Sequence, residues 1–203
     1  MSALPDHGVP EERSSGANDP DSLESVPEWA PPEPLPSSEM FLAVFSGLRP
    51  VTAGDSLHPA YDLVECQREH RQAVEVFGAP NESYAQLKAA AAALVTAHAD
   101  IEVLITIIDD AVADRLKHRR SESEESPTPI RAPLDRLPAV PMHTESIGEI
   151  VARMADLWEQ SVAKATELTC DTPAETHQLV ELCAGYDCLA AEIESGRRLL
   201  PGM

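Results

Sequence analysis

Leu87, Ala91, Leu94, His98, Ile101, Ile105, Ile108 and Val112 recur at alternating steps of four and three residues. A mean step of 3.5 residues brings every member to one side of an α-helix. Leu87 to Val112 therefore reads as one long helix packed along its length against partners, a seam of the coiled-coil kind. Asn81 stands where a cap belongs, and the alanines from Ala89 to Ala93 have the best intrinsic helix propensity and leave room for a close neighbour. Arg115, Lys117 and His118 would complement the dipole in the last turn, so the helix is expected to end near His118.

The same pattern recurs on either side. Leu57 to Phe77 forms a helix with Asp55 or Ser56 as cap, Pro59 in its first turn, and Leu57, Tyr61, Val64 and Val74 facing inward. Glu145 to Leu168 forms another, opened by a Ser146–Glu149 capping box. Its seam is Ile147, Ile150, Met154, Leu157, Ser161, Ala165 and Leu168, with Glu149 and Arg153 as an i,i+4 pair. Thr172, Pro173 and Glu175 start a fourth helix lined by Leu179, Leu182, Tyr186, Leu189 and Ile193. Within it Gly185 implies close contact with another backbone or with a bulky side chain such as Trp158, and Glu194 is placed to pair with Arg197 and Arg198.

Before these helices, residues 1–38 are acidic and proline-rich without an apolar period. They cannot bury enough surface to offset the entropy of ordering and read as a disordered tail with a solvated Trp29, the alternative being a docking segment that orders on a partner with Trp29 as its anchor. Glu39 to Leu48 is a short apolar run, expected as a brief helix lying over the bundle. Residues 119–142 carry Pro127, Pro129, Pro133, Pro138 and Pro141 and read as a flexible linker. The expected fold is all-α: an elongated antiparallel bundle of about four long helices spanning 39–203, built from hairpins at 57–118 and 143–203.

Composition narrows function. Aromatic residues are 4% of the chain against 43% apolar, so the core is Ala, Leu, Val and Ile, which suits helix-on-helix packing. A net charge of -20 repels phosphate backbones and anionic bilayers. The basic clusters, Arg115 to Arg120 and Arg197 with Arg198, are short and lack interleaved aromatics, so nucleic-acid binding is not expected. Cys66, Cys170, Cys183 and Cys188 form no Cys-x-x-Cys pair, which argues against zinc and for reduced thiols in a helical core. The N-terminus has no basic flank or apolar stretch of a signal peptide. Ala89 to Val112 is interrupted by His98, Asp100, Glu102, Asp109 and Asp110, so a membrane span is not expected either. The cytoplasm is the expected location.

A few polar groups fall in apolar surroundings. Glu102 and Asp109 are one heptad apart beside the seam, and His98 lies on it. His143, Glu145 and Glu149 stand at the start of the third long helix. Paired carboxylates there point either to ion pairs with Arg153 or Arg71, or to a divalent metal held by Glu102, Asp109 and Glu145. The Glu-x-x-His pairs of ferritin-type metal bundles are absent, and so are the Glu-x-x-Glu and Glu-x-x-Asp pairs of all-helical nucleotide pyrophosphatases. No glycine-rich phosphate loop or nucleophile elbow occurs, so no cofactor is indicated.

The segments HTESIGEIVARMADLW, from His143 to Trp158, and YDCLAAEIESGRRLLP, from Tyr186 to Pro201, resemble the C-terminal half of a bacterial, actinobacterial-type family of all-helical proteins to which no activity is attached. The family opens one helix with Thr-Glu-Thr/Ser-Pro/Ile/Leu-Gly, and its middle helix has Ile-Asp after an apolar run, as at Ile108 and Asp109. The resemblance covers roughly 51–203 without the linker. Where many members have Arg-Leu-Ser this chain has Arg153, Met154 and Ala155, so the hydroxyl is missing. It implies a helical fold, no reaction, and Glu145, Arg153 and Asp109 as the positions of any shared site.

Two functions follow as expectations. The first is a cytoplasmic interaction or assembly protein, a homodimer or the holder of a protein partner. The second is a small metal-dependent enzyme or ligand binder, with Glu102, Asp109, His143, Glu145 and Arg153 meeting between the second and third long helices. A converging pocket favours the second; an uncovered apolar strip favours the first.

Overall fold

The computed structural model describes residues 34–48, 56–125, 140–165 and 174–201. Trp29, Asp55, Cys170, Thr172, Pro173, most of the acidic tail and the proline-rich part of the linker lie outside the described residues. The protein is all-α. Its helices are α1 (Ser38–Phe45), α2 (Leu57–Gly78), α3 (Tyr84–Glu125), α4 (Ile147–Ala165) and α5 (Ala174–Glu194).

α2 and α3 form an antiparallel hairpin, turned at Asn81, whose φ of 70° suits a short polar side chain. Asn81 is not the cap of α3. That role falls to Ser83, whose amide donates to Gln86 Oε1 at 2.9 Å while its hydroxyl accepts from the Gln86 amide at 3.3 Å. α3 also outruns its expected end near His118, reaching Glu125 over 42 residues, about 63 Å. No proline interrupts it before Pro127, so Arg115, Lys117 and His118 are interior. Arg115 donates to the Pro34 carbonyl at 2.7 Å, and Arg119 meets Glu194 at 3.3 Å.

α4 and α5 form the second hairpin. A Lys164–Glu175 ion pair joins one end, and a parallel bridge between Met142 and Leu199 joins the other. α4 opens on the expected capping box: the Ser146 amide donates to Glu149 Oε2 at 2.7 Å, and Ser146 Oγ accepts from the Glu149 amide at 3.1 Å. Glu149 is thereby occupied, and Arg153 pairs with Glu145 instead. Glu194 likewise serves Arg119 rather than its sequence neighbours, and Arg198 turns to Glu192.

The two hairpins are joined through one core. Ile101, Ile108, Val112 and Leu116 of α3 and Leu57, Ala60, Leu63 and Val64 of α2 face Ile147, Ile150, Val151 and Met154 of α4, with Leu179, Tyr186 and Ile193 from α5. Tyr61 and Val74, expected inside, are 40% and 47% exposed. The inward face of α2 uses Ala60, Leu63, Gln67 and Ala73, of which the two alanines let the neighbouring helices approach closely. Gln67 is buried and donates to the Ala152 carbonyl at 3.2 Å, so its burial leaves no unmade bond.

α1 is part of this core rather than a cover over it. Phe41 is 0% exposed, stacks edge-on against Tyr186 at 5.7 Å, and is followed by Phe45 against Trp158 at 6.4 Å. Residues 34–38, which composition assigns to the tail, form a strap on the bundle. Leu35 is 7% exposed, its amide donates to Glu194, the Pro36 carbonyl accepts from Tyr186 Oη at 2.7 Å, and Ser38 donates twice to Asp187.

Gly185 has no atom near the place of an added Cβ, so it is not a contact glycine. Gly148 is. A Cβ there would sit 2.5 Å from the Ile105 carbonyl oxygen, so only glycine lets α4 start this close to α3.

Candidate functional site

Four of the five polar candidates surround the start of α4, and each has a structural partner. Asp109 Oδ1 accepts from the Gly148 amide at 2.7 Å, so an α3 carboxylate supplies a cap for α4 from outside its own chain segment. Glu145 holds Arg153 through two bonds of 2.9 and 3.1 Å, both side chains about half-exposed. His143 closes a local turn: its Nδ1 lies 2.9 Å from the Glu145 carbonyl and 3.2 Å from the Glu145 amide, while its own amide donates to Leu199.

Glu102 stands apart, exposed, about 10 Å of helix rise from Asp109. His98 is exposed as well rather than on the buried seam. Among the described residues no group of three or more His, Cys, Asp or Glu is arranged to hold a metal ion, so Glu102, Asp109 and Glu145 do not meet around a common point.

One buried charge escaped sequence reasoning. Glu159 of α4 is 4% exposed and is clasped by Arg68 Nε and Nη2 of α2 at 3.1 and 2.8 Å, with Arg71 at 3.9 Å. The signal was present: Glu159 lies four residues past buried Ala155, and Arg68 and Arg71 are one turn apart. A bidentate pair between helices fixes their register. Two of the thiols are held in the protonated form. Burial, and for Cys66 the nearby Asp100 and Glu69 as well, pushes Cys66 and Cys183 above the ordinary thiol range.

The N-terminal half of α3 is different in kind. From Tyr84 to Ala99 it buries only Ala90 and Ala97, on the side facing Ala73 of α2. The buried positions are thus shifted by one from the expected Ala91 and His98. In an alanine run every face is equally apolar, so the register is set by the partner and not by the pattern. On the outer face Ala85, Ala89, Ala92, Thr96, Ala99, Val103 and Ile107 repeat at steps of four and three, and all are exposed. Val103 is 57% and Ile107 45% exposed. Beside them a groove of about 590 Å³ runs between the two helices, floored by Ala73, Val76, Ala89, Ala90 and Ala93 and rimmed by Glu69 and Glu82.

By length and composition alone Tyr84–Ser121 is apolar enough to cross a membrane, yet only 17% of its most apolar window is buried. The apolar character of this helix is therefore not explained by the bundle's own core. Set against family models, curated proteins and solved structures, the chain matches none.

Proposed function

We propose that this protein is a cytoplasmic helical-bundle assembly protein whose working surface is the outer face of the α2–α3 hairpin. The observation that carries this reading is the exposed stripe from Ala85 to Ile107 beside the alanine-floored groove. Monomeric proteins rarely keep a contiguous apolar strip of this length uncovered, because it costs roughly 25 cal/mol for each Å² left in water. Lys88 is the sole Lys, Arg, Asp or Glu between Tyr84 and Ala99 in a chain of net charge -20. The polar groups at the start of α4 have structural partners: Asp109 caps α4, His143 closes a turn, and Glu145 and Arg153 hold each other.

The test is a photoreactive residue placed at Ala92 of the full chain in its host, with the exposed Glu181 of α5 as the control position. The expected result is a discrete adduct at Ala92, identified by mass spectrometry, and none at Glu181. No adduct at Ala92, or equal labelling at both positions, would remove the assembly reading.

A further inference from the structure

We propose that the groove between α2 and α3 is a binding site for a linear aliphatic polyamine, a flexible methylene chain carrying protonated nitrogens. This goes beyond the assembly reading, because the stripe lies on the outer side of α3 whereas the groove opens between the two helices. A volume of about 590 Å³ suits a small molecule, and so does the make-up of the site, an apolar floor with a few polar groups at its rim. The floor is built from alanines and Val76, short side chains against which methylenes can lie along the whole length. Rim chemistry sets the charge of the ligand. Glu69 and Glu82 both line the groove and no Lys or Arg does. Neither acid makes an ion pair among the described residues. Glu82 is half-buried, so its charge is only partly solvated and a counter-ion gains more there than at an exposed acid.

Spacing sets the shape of the ligand. Glu69 and Val76 are two turns apart on α2, and Glu82 follows past the turn, which sets the two acids on the order of 15 Å apart at opposite ends of the groove. Gln72, one turn from Glu69, adds a neutral acceptor to the rim between them. Two separated carboxylates about an alanine trough match ammonium groups joined by methylenes, and a chain of net charge -20 raises the local concentration of such a cation. Other occupants fit less well. A divalent ion needs several oxygens about one point, and no group of three or more His, Cys, Asp or Glu converges among the described residues. A quaternary ammonium needs aromatic faces, and no aromatic residue lines the groove. Phosphates and acidic peptides meet the like charge of the rim. A basic amphipathic helix docks through anchors over several turns, whereas the groove follows α3 only as far as Ala93.

Isothermal titration of the purified full chain with spermidine tests this, in about 0.15 M salt, where screening suppresses diffuse attraction to the acidic surface. The expected result is saturable binding of one spermidine per chain, with no matching site for magnesium ion. Glu82→Gln should weaken it about tenfold, and Glu69→Gln, at an exposed position, about threefold. Ala93→Leu, at an exposed position on the floor, should fill the groove and abolish binding while helicity by circular dichroism stays unchanged. Glu181→Gln on α5 should leave binding as it is. The absence of saturable binding at millimolar spermidine overturns the inference. So does binding that magnesium displaces charge for charge, or that is indifferent to Glu82→Gln or to Ala93→Leu. Binding of a hexalysine peptide in place of spermidine would give the groove to a basic segment of a protein and overturn it as well. The Ala92 adduct reads the stripe and spermidine reads the groove, so the assembly reading and this one fail separately.

Discussion

The two halves of α3 are built from similar residues and live in different surroundings. In the C-terminal half Ile108, Val112 and Leu116 are buried against the other helices, and the core accounts for these three side chains. In the N-terminal half the helix meets α2 alone, through Ala90 and Ala97, and turns the rest of an equally apolar surface outward. Periodicity reports that a face is apolar; it does not report whether the chain itself covers it. The difference separates what holds this protein together from what its own core leaves uncovered.

The sharpest way to break the comparison is to truncate a large apolar residue in each half. Ile108→Ala removes a side chain that is 0% exposed and should cost about 2–5 kcal/mol in denaturant unfolding. Val103→Ala, measured on monomeric protein, should change stability by no more than about 0.5 kcal/mol. Equal costs would mean that the outer face is packed within one chain. A second pair contrasts glycines. Gly148→Ala forces a methyl against the Ile105 carbonyl and should destabilise by about 1–3 kcal/mol, lowering the melting temperature by several degrees. Gly185→Ala meets open space at an exposed position of α5 and should stabilise by up to about 1 kcal/mol.

Asp109 sharpens the question at the junction of the halves. Asp109→Ala leaves the Gly148 amide at the start of α4 without its acceptor, so a loss of about 1–2 kcal/mol is expected. Tyr186 gives a similar effect with a pH signature. Burial, then the carboxylates of Asp187 and Glu194, hold its hydroxyl above the ordinary tyrosine range. The folded state therefore keeps a proton that the unfolded chain releases near pH 10, approximately. The stability it contributes is fully present below that pH and falls as pH rises beyond it. Tyr186→Phe should cost about 1 kcal/mol at neutral pH through the lost bond to Pro36 and flatten the decline above pH 10, approximately, in melts from pH 8 to 11.

The fold class was legible because its signal is repeated: four apolar seams, a capping box at Ser146 and turn residues at Gly78 to Pro80. What stayed hidden was whatever depends on a partner distant in sequence. Asp109 looked like a free carboxylate because nothing near it shows that Gly148 arrives from another helix. Leu35 and Ser38 looked like tail because a strap has no period of its own; its order comes from Asp187, Glu194 and Tyr186. The register of the alanine run was undetermined, since Ala90 and Ala91 are chemically the same and only Ala73 distinguishes them. Arg153 illustrates the local version. Helix spacing nominates Glu149, but the capping box claims Glu149 first and leaves Glu145 as the acid in reach.

That last choice yields the smallest effect and a clean separation of roles. The Glu145–Arg153 pair has good two-point geometry, but its side chains are 40% and 48% exposed, so solvent screens most of its energy. Glu145→Gln keeps the shape, removes the charge, and should shift stability by no more than about 0.5 kcal/mol, with the residual difference vanishing in about 1 M salt. The His143 ring meets the backbone of Glu145 and not its side chain, so its turn survives the substitution. A larger, salt-insensitive loss would show that Glu145 is held by more than Arg153 and would bring the start of α4 back as a working site. A negligible one leaves the α2–α3 face as the part of the molecule whose chemistry its own fold does not use.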